Sequence, residues 1–296
     1  MELQFDQKTL QKDASCVMLK KMRREVDEMT RKFSYRDADL YSHHTIDENP
    51  SQKDFAIHAH EWMEILYIIS GSGSYLVEGV QYPLEPQDIF IIRPGEMHKL
   101  NIDSGTPYER IAIHFRPESL SALDPDHILL APFTDRNMGR LNRYTQSEDP
   151  DGLLRMPFSN FKFDSVPNIR LNLFARLLQI LTHLDSQFHI MKQNLPAETR
   201  NELVGYVYQH LFEDISVQSV ADEMHLSRSQ VNRIFQQVTG TSLWKYVTAK
   251  RLLAARAMIQ RGESATDACA ACGFTDYSSF YRAYRSYFGN SPRDDA

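Results

Sequence analysis

The sequence predicts two domains: an N-terminal antiparallel β-barrel or jelly roll with a helical appendage, and an all-α C-terminal domain with two helix-turn-helix units. The chain has 296 residues, and chains of this length commonly form about two domains. The hydrophobic pattern changes from short β-like runs over residues 55–115 to a helical period after residue 119. Its 42% hydrophobic and 24% charged residues are typical of globular proteins and exclude disordered and collagen-like chains.

Residues 1–50 are polar and mixed in pattern, and we treat them as an N-terminal extension with a short helix around Val17–Phe33. The sequence starts with Met1-Glu2-Leu3-Gln4 and lacks the basic-then-apolar pattern of a signal peptide. Its apolar stretches are too short or too interrupted to span a bilayer. We therefore expect a cytoplasmic protein with no membrane partner.

Residues 51–190 are predicted to form the β-rich domain. Short β-like runs alternate with turn residues such as Gly71-Ser72-Gly73 and Pro94-Gly95, and the gaps between the runs have the size of hairpin turns. Several short strands with such spacing are typical of an antiparallel barrel or jelly roll. The predicted strands are Phe55–His60, Glu64–Ser70, Ser74–Glu78, Gln81–Leu84, Asp88–Ile92, His98–Ile102 and Glu109–Phe115.

The longest helical pattern of this half covers Asn168–Phe188 and carries two apolar seams. One seam contains Phe174 and Leu178, and the other contains Leu173 and Leu177. A helix that is apolar on more than one side needs two packing partners. One seam could pack on the barrel while the other meets its copy in a homodimer; alternatively, the helix is buried within its own domain. Residues 191–199 are the predicted linker.

Residues 200–296 form the predicted helical domain, which begins with one helix-turn-helix unit. A short helix follows Ser216, the chain turns at His225-Leu226, and Ser227 is a plausible N-cap for a second helix that ends at Gly240. The second helix of such a unit can enter the major groove of DNA. Its outward side chains are predicted to be Arg228, Ser229, Gln230, Asn232, Arg233, Gln236 and Gln237.

A long helix over Ser242–Arg261 leads to a second unit of the same design, in which Gly273 makes the turn and Asp276 caps the second helix. We expect Trp244 and Tyr246 to pack the long helix rather than to stack on bases. Two cysteines form a C-x-x-C, but no nearby Cys or His pair completes a zinc site, and we interpret them as small buried hydrophobes. They are Cys269 and Cys272.

The net charge of −6 at first argues against a polyanionic partner. Residues 200–296, however, carry 11 Lys and Arg against 10 Asp and Glu, so the acidity belongs to the first two thirds of the chain. No acid occurs between Arg228 and Gly240, and none occurs in the long helix. The charge distribution therefore permits local positive faces that could contact DNA.

The C-terminal sequence resembles the AraC/XylS family of transcription regulators over residues 200–293. The resemblance is carried by Leu226-Ser227, Arg233-Ile234-Phe235, Thr239-Gly240-Thr241-Ser242, Gly273-Phe274-Thr275-Asp276 and Gly289-Asn290-Ser291-Pro292. In that family both recognition helices contact one face of double-stranded promoter DNA, about 34 Å apart. The tail at residues 293–296 lacks the usual aromatic-basic ending. The residues implied to contact DNA are Arg228, Ser229, Gln230, Asn232, Arg233, Tyr277, Ser278, Ser279, Tyr281 and Arg282.

The β-rich half contains an H-x-H-x-x-x-E pattern at His58, His60 and Glu64, followed by His98 after a proline-glycine turn. Residues two apart in a strand share a face, so the first two imidazoles would point together. The spacing resembles the two cupin motifs, although Gln87-Asp88 replaces a common glycine. Three interpretations stay open: a metal-free effector pocket, a site where these four residues bind a divalent metal, and ordinary core histidines.

The sequence as a whole favours a DNA-binding transcription regulator, and an activator in particular, that responds to a small molecule bound in the cupin-like domain. A carbohydrate is the expected effector, with Trp62 as a stacking wall together with Tyr67; the alternative is that both rings pack outside the barrel. RNA polymerase would be a further partner of an activator. The rival hypothesis is a metallo-cupin isomerase or dioxygenase tethered to DNA, which bound metal together with substrate turnover would identify.

Overall fold

The computed structural model describes residues 30–51, 55–103, 105–159, 161, 168–193 and 202–295. They form two compact units, a β-rich unit made mainly of residues before 205 and a helical unit made mainly of later residues. The predicted fold class, an antiparallel sheet domain followed by a helical helix-turn-helix domain, is confirmed. Within the described ranges, none of the helices combines the length and the hydropathy that a membrane span requires.

The β-rich unit consists of two antiparallel sheets that enclose a core. The strands are β1 (Thr30–Arg36), β2 (Leu40–Asp47), β3 (Met63–Ser70), β4 (Gly73–Val77), β5 (Val80–Leu84), β6 (Ile89–Ile92), β7 (His98–Ile102), β8 (Tyr108–Phe115) and β9 (Arg143–Tyr144). The larger sheet has the strand order β1-β2-β8-β3-β6-β9, and the smaller has the order β5-β4-β7.

Six of the seven predicted strands correspond to β3–β8, but the predicted strand Phe55–His60 is wrong. His58 forms only an isolated antiparallel bridge to His98, with N–H···O distances of 3.0 and 2.7 Å. The pairing ends there because the carbonyl of His60 instead accepts a hydrogen bond from Gly95 N at 2.8 Å. This contact ties the H-x-H segment to the proline-glycine turn.

The predicted start of the domain at residue 51 is too late, because β1 and β2 belong to the larger sheet. β2 pairs with β8 along its whole length, from Leu40 opposite Phe115 to Asp47 opposite Tyr108. The hydrophobic pattern did not predict β2 because polar residues occupy both of its faces. The predicted helix around residues 17–33 is wrong from residue 30 onward, where β1 begins; its remainder lies outside the described residues, as does most of the predicted extension.

The alternation of side chains along β3 explains why Glu64 faces the space between the two sheets. Ile65 and Tyr67 pack in the cluster that the larger sheet forms with the helices. Leu66 and Ile68 pack in the second cluster, between the two sheets. Side chains two residues apart in a strand share a face. Glu64 therefore lies on the inner face together with Leu66 and Ile68.

Helices cover the outer face of the larger sheet. α1 (Ala131–Thr134) and α2 (Ile169–Gln193) pack against the cluster that contains β3 and β8. Both predicted seams of α2 contact this cluster: Leu173 and Leu177 are fully buried, while Phe174 is partly buried. The helix thus packs within its own domain on both seams. It also continues to residue 193, so the predicted linker at 191–199 starts too early.

The helical unit contains two short-helix pairs joined by one long helix. The helices are α3 (Glu202–Gln209), α4 (Val217–Glu223), α5 (Arg228–Thr239), α6 (Leu243–Gln260), α7 (Ala265–Ala271) and α8 (Tyr277–Phe288). The first pair is α4 and α5, the second is α7 and α8, and α6 joins them, as the sequence predicted. Val231, Phe235 and Phe280 are fully buried, and both cysteines of the C-x-x-C are buried as expected.

The turn between α7 and α8 depends on Gly273, which has φ of +75°. A Cβ there would lie 2.5 Å from the carbonyl oxygen of Phe212 and 3.0 Å from Cζ of Arg251. Arg251 is itself held in place, because its guanidinium donates hydrogen bonds to the carbonyls of Leu211, Glu213 and Gly273 at 2.5–2.7 Å. The glycine therefore lets α6 approach this turn closely.

We expect Gly273→Ala to destabilise the helical unit more than Gly262→Ala does. Both glycines have a positive φ, and an alanine in that conformation costs about 1–2 kcal/mol. Only Gly273 has backbone atoms in the way, which adds about 1–3 kcal/mol of overpacking, whereas a Cβ on Gly262 would meet nothing within 4 Å. Urea denaturation of the two variants tests this; equal losses of stability would contradict the close approach.

Candidate functional site

Three imidazoles lie around one carboxylate oxygen on the inner face of the β-rich unit, and a fourth imidazole lies beside them. Oε2 of Glu64 lies 2.8 Å from Nε2 of His60 and 3.7 Å from Nε2 of both His98 and His114. The ring of His58 lies 4.2 Å from that of His98, centroid to centroid. We call these five residues the histidine cluster. The structure thus brings together the four residues that the sequence analysis named and adds His114.

His114 was missed because it lies far from the motif in sequence and enters through strand pairing. It lies opposite Glu64 in the antiparallel pairing of β3 with β8. The signal was present in the alternation of β8, where Ile111 and Ile113 pack on the outer cluster while Ala112 packs on the inner one. Residue 114 therefore had to face inward.

Three of the imidazoles are oriented by backbone carbonyls through their Nδ1 atoms. His58 bonds to the carbonyl of Ala56 at 2.9 Å, and His60 bonds to that of Trp62 at 2.9 Å. His98 bonds to the carbonyl of Glu96 at 2.7 Å. A carbonyl oxygen can only accept a hydrogen bond, so each Nδ1 carries a proton. In the neutral ring the lone pair is then on Nε2.

Burial dominates the ionisation of the two most deeply buried imidazoles, His98 and His114. It lowers the pKa of His114 to about 4, and it lowers the pKa of His98 well below its ordinary value, with a further contribution from the neighbouring imidazoles. Both rings are therefore neutral at pH 7. Burial raises the pKa of Glu64, but the surrounding imidazoles more than offset this and hold it well below its usual range. Glu64 is thus a carboxylate at neutral pH.

The aromatic rings beside the cluster differ in part from those predicted. Tyr67 stacks on Phe158 at 4.5 Å on the outer face, so its proposed place in the pocket is wrong. The ring of Trp62 is buried and is covered by the guanidinium of Arg116 at 4.8 Å. The rings that contact the cluster are Tyr41, 5.4 Å from His114, and Tyr75, 5.9 Å from His98.

The second helix of the first helix-turn-helix unit, α5, presents a polar exposed face. Ser227 and Gln230 form a reciprocal cap, because the Gln230 amide oxygen accepts from Ser227 N at 2.8 Å and Gln230 N donates to Ser227 Oγ at 3.3 Å. Arg228 donates to the amide oxygen of Gln218 on α4. These contacts fix the start of α5. All five residues predicted to contact DNA are exposed: Arg228, Ser229, Gln230, Asn232 and Arg233.

The corresponding helix of the second unit, α8, is built in a similar way. Asp276 caps it by accepting from Ser278 N at 3.1 Å and Ser279 N at 2.7 Å. Arg282 lies one turn further along and donates to Ser279 Oγ at 3.0 Å. The residues predicted to contact DNA here are exposed except Tyr281, which is half-buried: Tyr277, Ser278, Ser279, Tyr281 and Arg282.

The positive face expected on the connecting helix α6 is much smaller than the sequence suggested. Lys250, Arg251 and Arg256 are buried, so of the five basic residues of the predicted helix only Lys245 and Arg261 are exposed. The net composition of a helix does not show which face its charges occupy.

A second correction concerns the aromatic pair at the start of α6. Tyr246 is buried in the core as expected, but Trp244 is 58% exposed.

The C-terminal tail packs against the helical unit through Asp295. Asp295 accepts a hydrogen bond from the Tyr284 hydroxyl at 2.7 Å and another from Arg256 Nη2 at 3.0 Å. The Arg256 guanidinium also lies 4.6 Å above the ring of Phe288. The acidic end of the chain thus pairs with a buried cation of α6.

Two family profiles match the chain. The AraC-like ligand binding domain matches residues 41–153, which contain the whole histidine cluster. A helix-turn-helix domain matches residues 220–295, which contain α5 and α8. Among curated proteins, the HTH-type transcriptional activator RhaS of Escherichia coli (strain K12) is 25% identical over 257 residues. That alignment covers 82% of this chain and 88% of RhaS.

Solved structures give further matches. A transcriptional regulator with an AraC-type DNA-binding domain from Chromobacterium violaceum shares 33% identity over 32% of this chain and 85% of its own length, with a TM-score of 0.30. ToxT from Vibrio cholerae aligns with 86% of this chain and 96% of its own, at 10% identity and a TM-score of 0.38. These TM-scores are too low to support a structural argument.

The sequence matches and the architecture agree with the resemblance seen in the recognition-helix motifs. One profile covers the β-rich unit and the other covers both helix-turn-helix pairs. The curated relative RhaS, which aligns with both units, is a transcriptional activator. The chain belongs to the AraC/XylS family of transcription regulators, with an AraC-like ligand-binding domain followed by a helix-turn-helix DNA-binding domain.

Proposed function

We propose that this regulator is an activator whose DNA binding responds to a small polar effector bound at the histidine cluster. One observation carries the proposal. Nε2 of His98 and Nδ1 of His114 are buried and have no hydrogen-bond partner within the described part of the chain. Buried polar atoms are nearly always hydrogen-bonded in folded proteins. A polar ligand on the inner face would supply the missing partners.

The chemistry of the cluster favours a ligand with several hydroxyl groups, such as a carbohydrate. Neutral imidazoles and a carboxylate can accept hydrogen bonds from hydroxyl groups, and a protonated imidazole nitrogen can donate to them. The rings of Tyr41 and Tyr75 lie beside these polar groups. A pocket that combines aromatic rings with a few polar groups is the usual setting for small-molecule recognition.

The partners we propose follow from the helical unit. The exposed faces of α5 and α8 would contact the major groove of promoter DNA, since Arg, Asn and Ser side chains can bond to base edges and phosphates. Activation by RhaS supports the activator role and, with it, contact with RNA polymerase. The proposal further includes a homodimer and a cytoplasmic location, where the promoter DNA lies.

The proposal excludes catalysis, although the rival metallo-cupin enzyme would use the same cluster. The relatives that match both units are regulators, which supports a sensor. Substrate turnover by the purified full-length protein together with a bound metal would favour the enzyme. Metal without turnover is compatible with the regulator.

We expect His60→Ala to abolish the effector response while DNA binding without effector stays nearly unchanged. His60 contacts Glu64 at 2.8 Å, so the variant removes a central group of the cluster, whereas the recognition helices belong to the other unit. The effector would first be found by screening the full-length protein against sugars for a raised melting temperature. DNA binding is then measured with and without it.

The exposed His189 on α2 provides the control, because His189→Ala should keep the full response. An unchanged response in His60→Ala would contradict an effector site at the cluster. Loss of folding in His60→Ala, with no sugar stabilising the wild-type protein, would favour ordinary core histidines.

A further inference from the structure

The histidine cluster has the arrangement that surrounds metal ions in proteins, beyond its suitability for a polar effector. Metal-ligating histidines commonly donate one ring N–H to a carboxylate or a backbone carbonyl, which leaves the other nitrogen free to bind the ion. His58, His60 and His98 each bond to a carbonyl through Nδ1. In His60 and His98 this orientation places Nε2 on the side of Glu64, 2.8 and 3.7 Å from its Oε2.

The distances in the cluster also fit a shared ion. Ligand atoms that each lie about 2.0–2.2 Å from one ion are separated by about 3–3.5 Å when their angles at the ion lie between square and tetrahedral. Oε2 of Glu64 lies 2.8 Å from Nε2 of His60 and 3.7 Å from Nε2 of His98 and His114. The ligand atoms of His60, Glu64 and His114 all lie within 4.8 Å of one another, and those of His98, His58 and His60 do so as a second group. His98 would therefore have to move toward Glu64 and His114 to share one ion with them.

The hydrogen bonding of His60 supplies an independent argument. Its Nδ1 contacts the carbonyl of Trp62 and its Nε2 contacts the carboxylate of Glu64, so the ring lies between two acceptors. Without an ion, both contacts can be satisfied only when both nitrogens carry protons. An ion between His60 and Glu64 would bind both directly. It would also occupy the space in front of Nε2 of His98, which is buried and has no hydrogen-bond partner in the described chain.

We propose that the β-rich unit binds one divalent first-row transition-metal ion through Nε2 of His60, His98 and His114 and a carboxylate oxygen of Glu64. Three imidazoles and one carboxylate suit Zn²⁺, Mn²⁺, Fe²⁺ or Ni²⁺. His58 is half-buried, as His60 is, and its ring lies 4.2 Å from that of His98, outside the proposed ligand set. The ligand from β8 distinguishes this set from the one that the H-x-H-x-x-x-E motif alone would name.

Metal binding is tested on the full-length protein, without DNA and without any effector. The chelator-treated protein is titrated with Zn²⁺ by calorimetry and with Co²⁺ by visible absorption. We expect one equivalent of metal per chain and ligand-field bands in the Co²⁺ complex. Zinc-edge X-ray absorption of the wild-type complex should show nitrogen and oxygen ligands only, including imidazoles. Binding of less than one equivalent would overturn the proposal, and so would sulfur ligation, since the cluster contains no thiol.

Two variants locate the ion. Glu64→Gln nearly preserves the shape of the side chain, and His114→Gln removes the ligand that only the structure reveals. Each should weaken metal binding by about tenfold or more, whereas His189→Ala on the exposed face of α2 should bind as the wild type does. Folding of the metal-free variants is checked by circular dichroism. Unchanged affinity in both variants would place the ion elsewhere and overturn the proposal.

This inference stands apart from the effector response. If the wild-type protein binds no metal but responds to the effector, and His60→Ala abolishes that response, the proposed function stands and the metal site is contradicted. A bound ion with no effector response would support the metal site and contradict the proposed function. The two proposals therefore fail in different experiments.

Discussion

Glu96→Gln should lower the free energy of unfolding of the β-rich unit by about 3–5 kcal/mol, because it leaves a buried guanidinium without its carboxylate. The side chains of Glu96 and Arg136 are both 0% exposed, and the carboxylate accepts from the two terminal nitrogens of Arg136 at 2.6 and 2.8 Å. It also accepts from Gly139 N and Asn142 Nδ2 at 3.1 Å. A neutral amide cannot compensate the charge and cannot accept all of these bonds.

The control for this variant is a glutamate in an exposed ion pair. Glu85 contacts Arg143 at 2.9 Å, but its side chain is 67% exposed. Solvent screens such pairs, so Glu85→Gln should cost less than about 1 kcal/mol. Urea denaturation is followed by tryptophan fluorescence in a Trp244→Phe background, where Trp62 is the remaining tryptophan and reports on the β-rich unit. Similar losses in the two variants would show that burial of the Glu96–Arg136 pair does not determine its contribution.

The contribution of Glu96 to the free energy of unfolding should decrease at low pH. Burial raises the pKa of Glu96, but the Arg136 charge more than offsets this and holds the pKa below that of an ordinary glutamic acid. A carboxyl whose pKa is depressed by folding stabilises the protein above its unfolded pKa, and this contribution is lost as the pH falls through the folded pKa. The stability difference between wild type and Glu96→Gln should therefore shrink below about pH 4.3.

This pair also bears on the histidine cluster. Glu96 belongs to the turn before β7, and its backbone carbonyl accepts the hydrogen bond from Nδ1 of His98 at 2.7 Å. The ion pair thus fixes the turn that orients one of the cluster's imidazoles. The sequence showed the proline-glycine turn but gave no sign that a distant arginine, forty residues later, would anchor it.

The helical unit was predictable because its signals are local. Ser216, Ser242 and Asp276 each cap a helix through their own side chains, and each lies directly before an apolar period. Caps and periodicity depend on residues within one or two turns. The composition of α6 did not show which of its basic side chains are exposed. Lys250 and Arg256 are in fact buried in the core.

The β-rich unit was less predictable because its site is assembled by pairing between distant strands. The motif indicated correctly that His58 and His60 lie near each other, with ring centroids 6.0 Å apart, although their segment does not form the predicted strand. His114 joins Glu64 only through the pairing of β8 with β3, and Tyr41 joins them through the pairing of β2 with β8. A single sequence specifies which face a residue occupies, but it does not specify which strand lies opposite.

The largest effect on DNA binding is expected from removing one arginine in each recognition helix. Arg233 and Arg282 lie on the exposed faces of α5 and α8. An arginine that is bidentate to guanine contributes about 1–3 kcal/mol of discrimination against other bases. Each single alanine variant should therefore weaken binding to the preferred site by that amount and relax the preference at one base position. The double variant should lose about 2–6 kcal/mol, because contacts on separate helices are nearly additive.

The preferred site is selected from randomised DNA with the wild-type protein, and affinities are then measured on that site and on unrelated DNA at one salt concentration. Arg261→Ala is the control, because Arg261 is also exposed to solvent, directly follows α6 and belongs to neither recognition helix. This control tests whether the loss of any one exposed positive charge is enough to weaken DNA binding. A phosphate contact weakens binding to all sequences alike, whereas a base contact weakens binding only to the preferred site. Equal losses on both DNAs for Arg233→Ala and Arg282→Ala would show that these arginines contact only the backbone, and sequence reading would then have to come from the other exposed residues of the two helices.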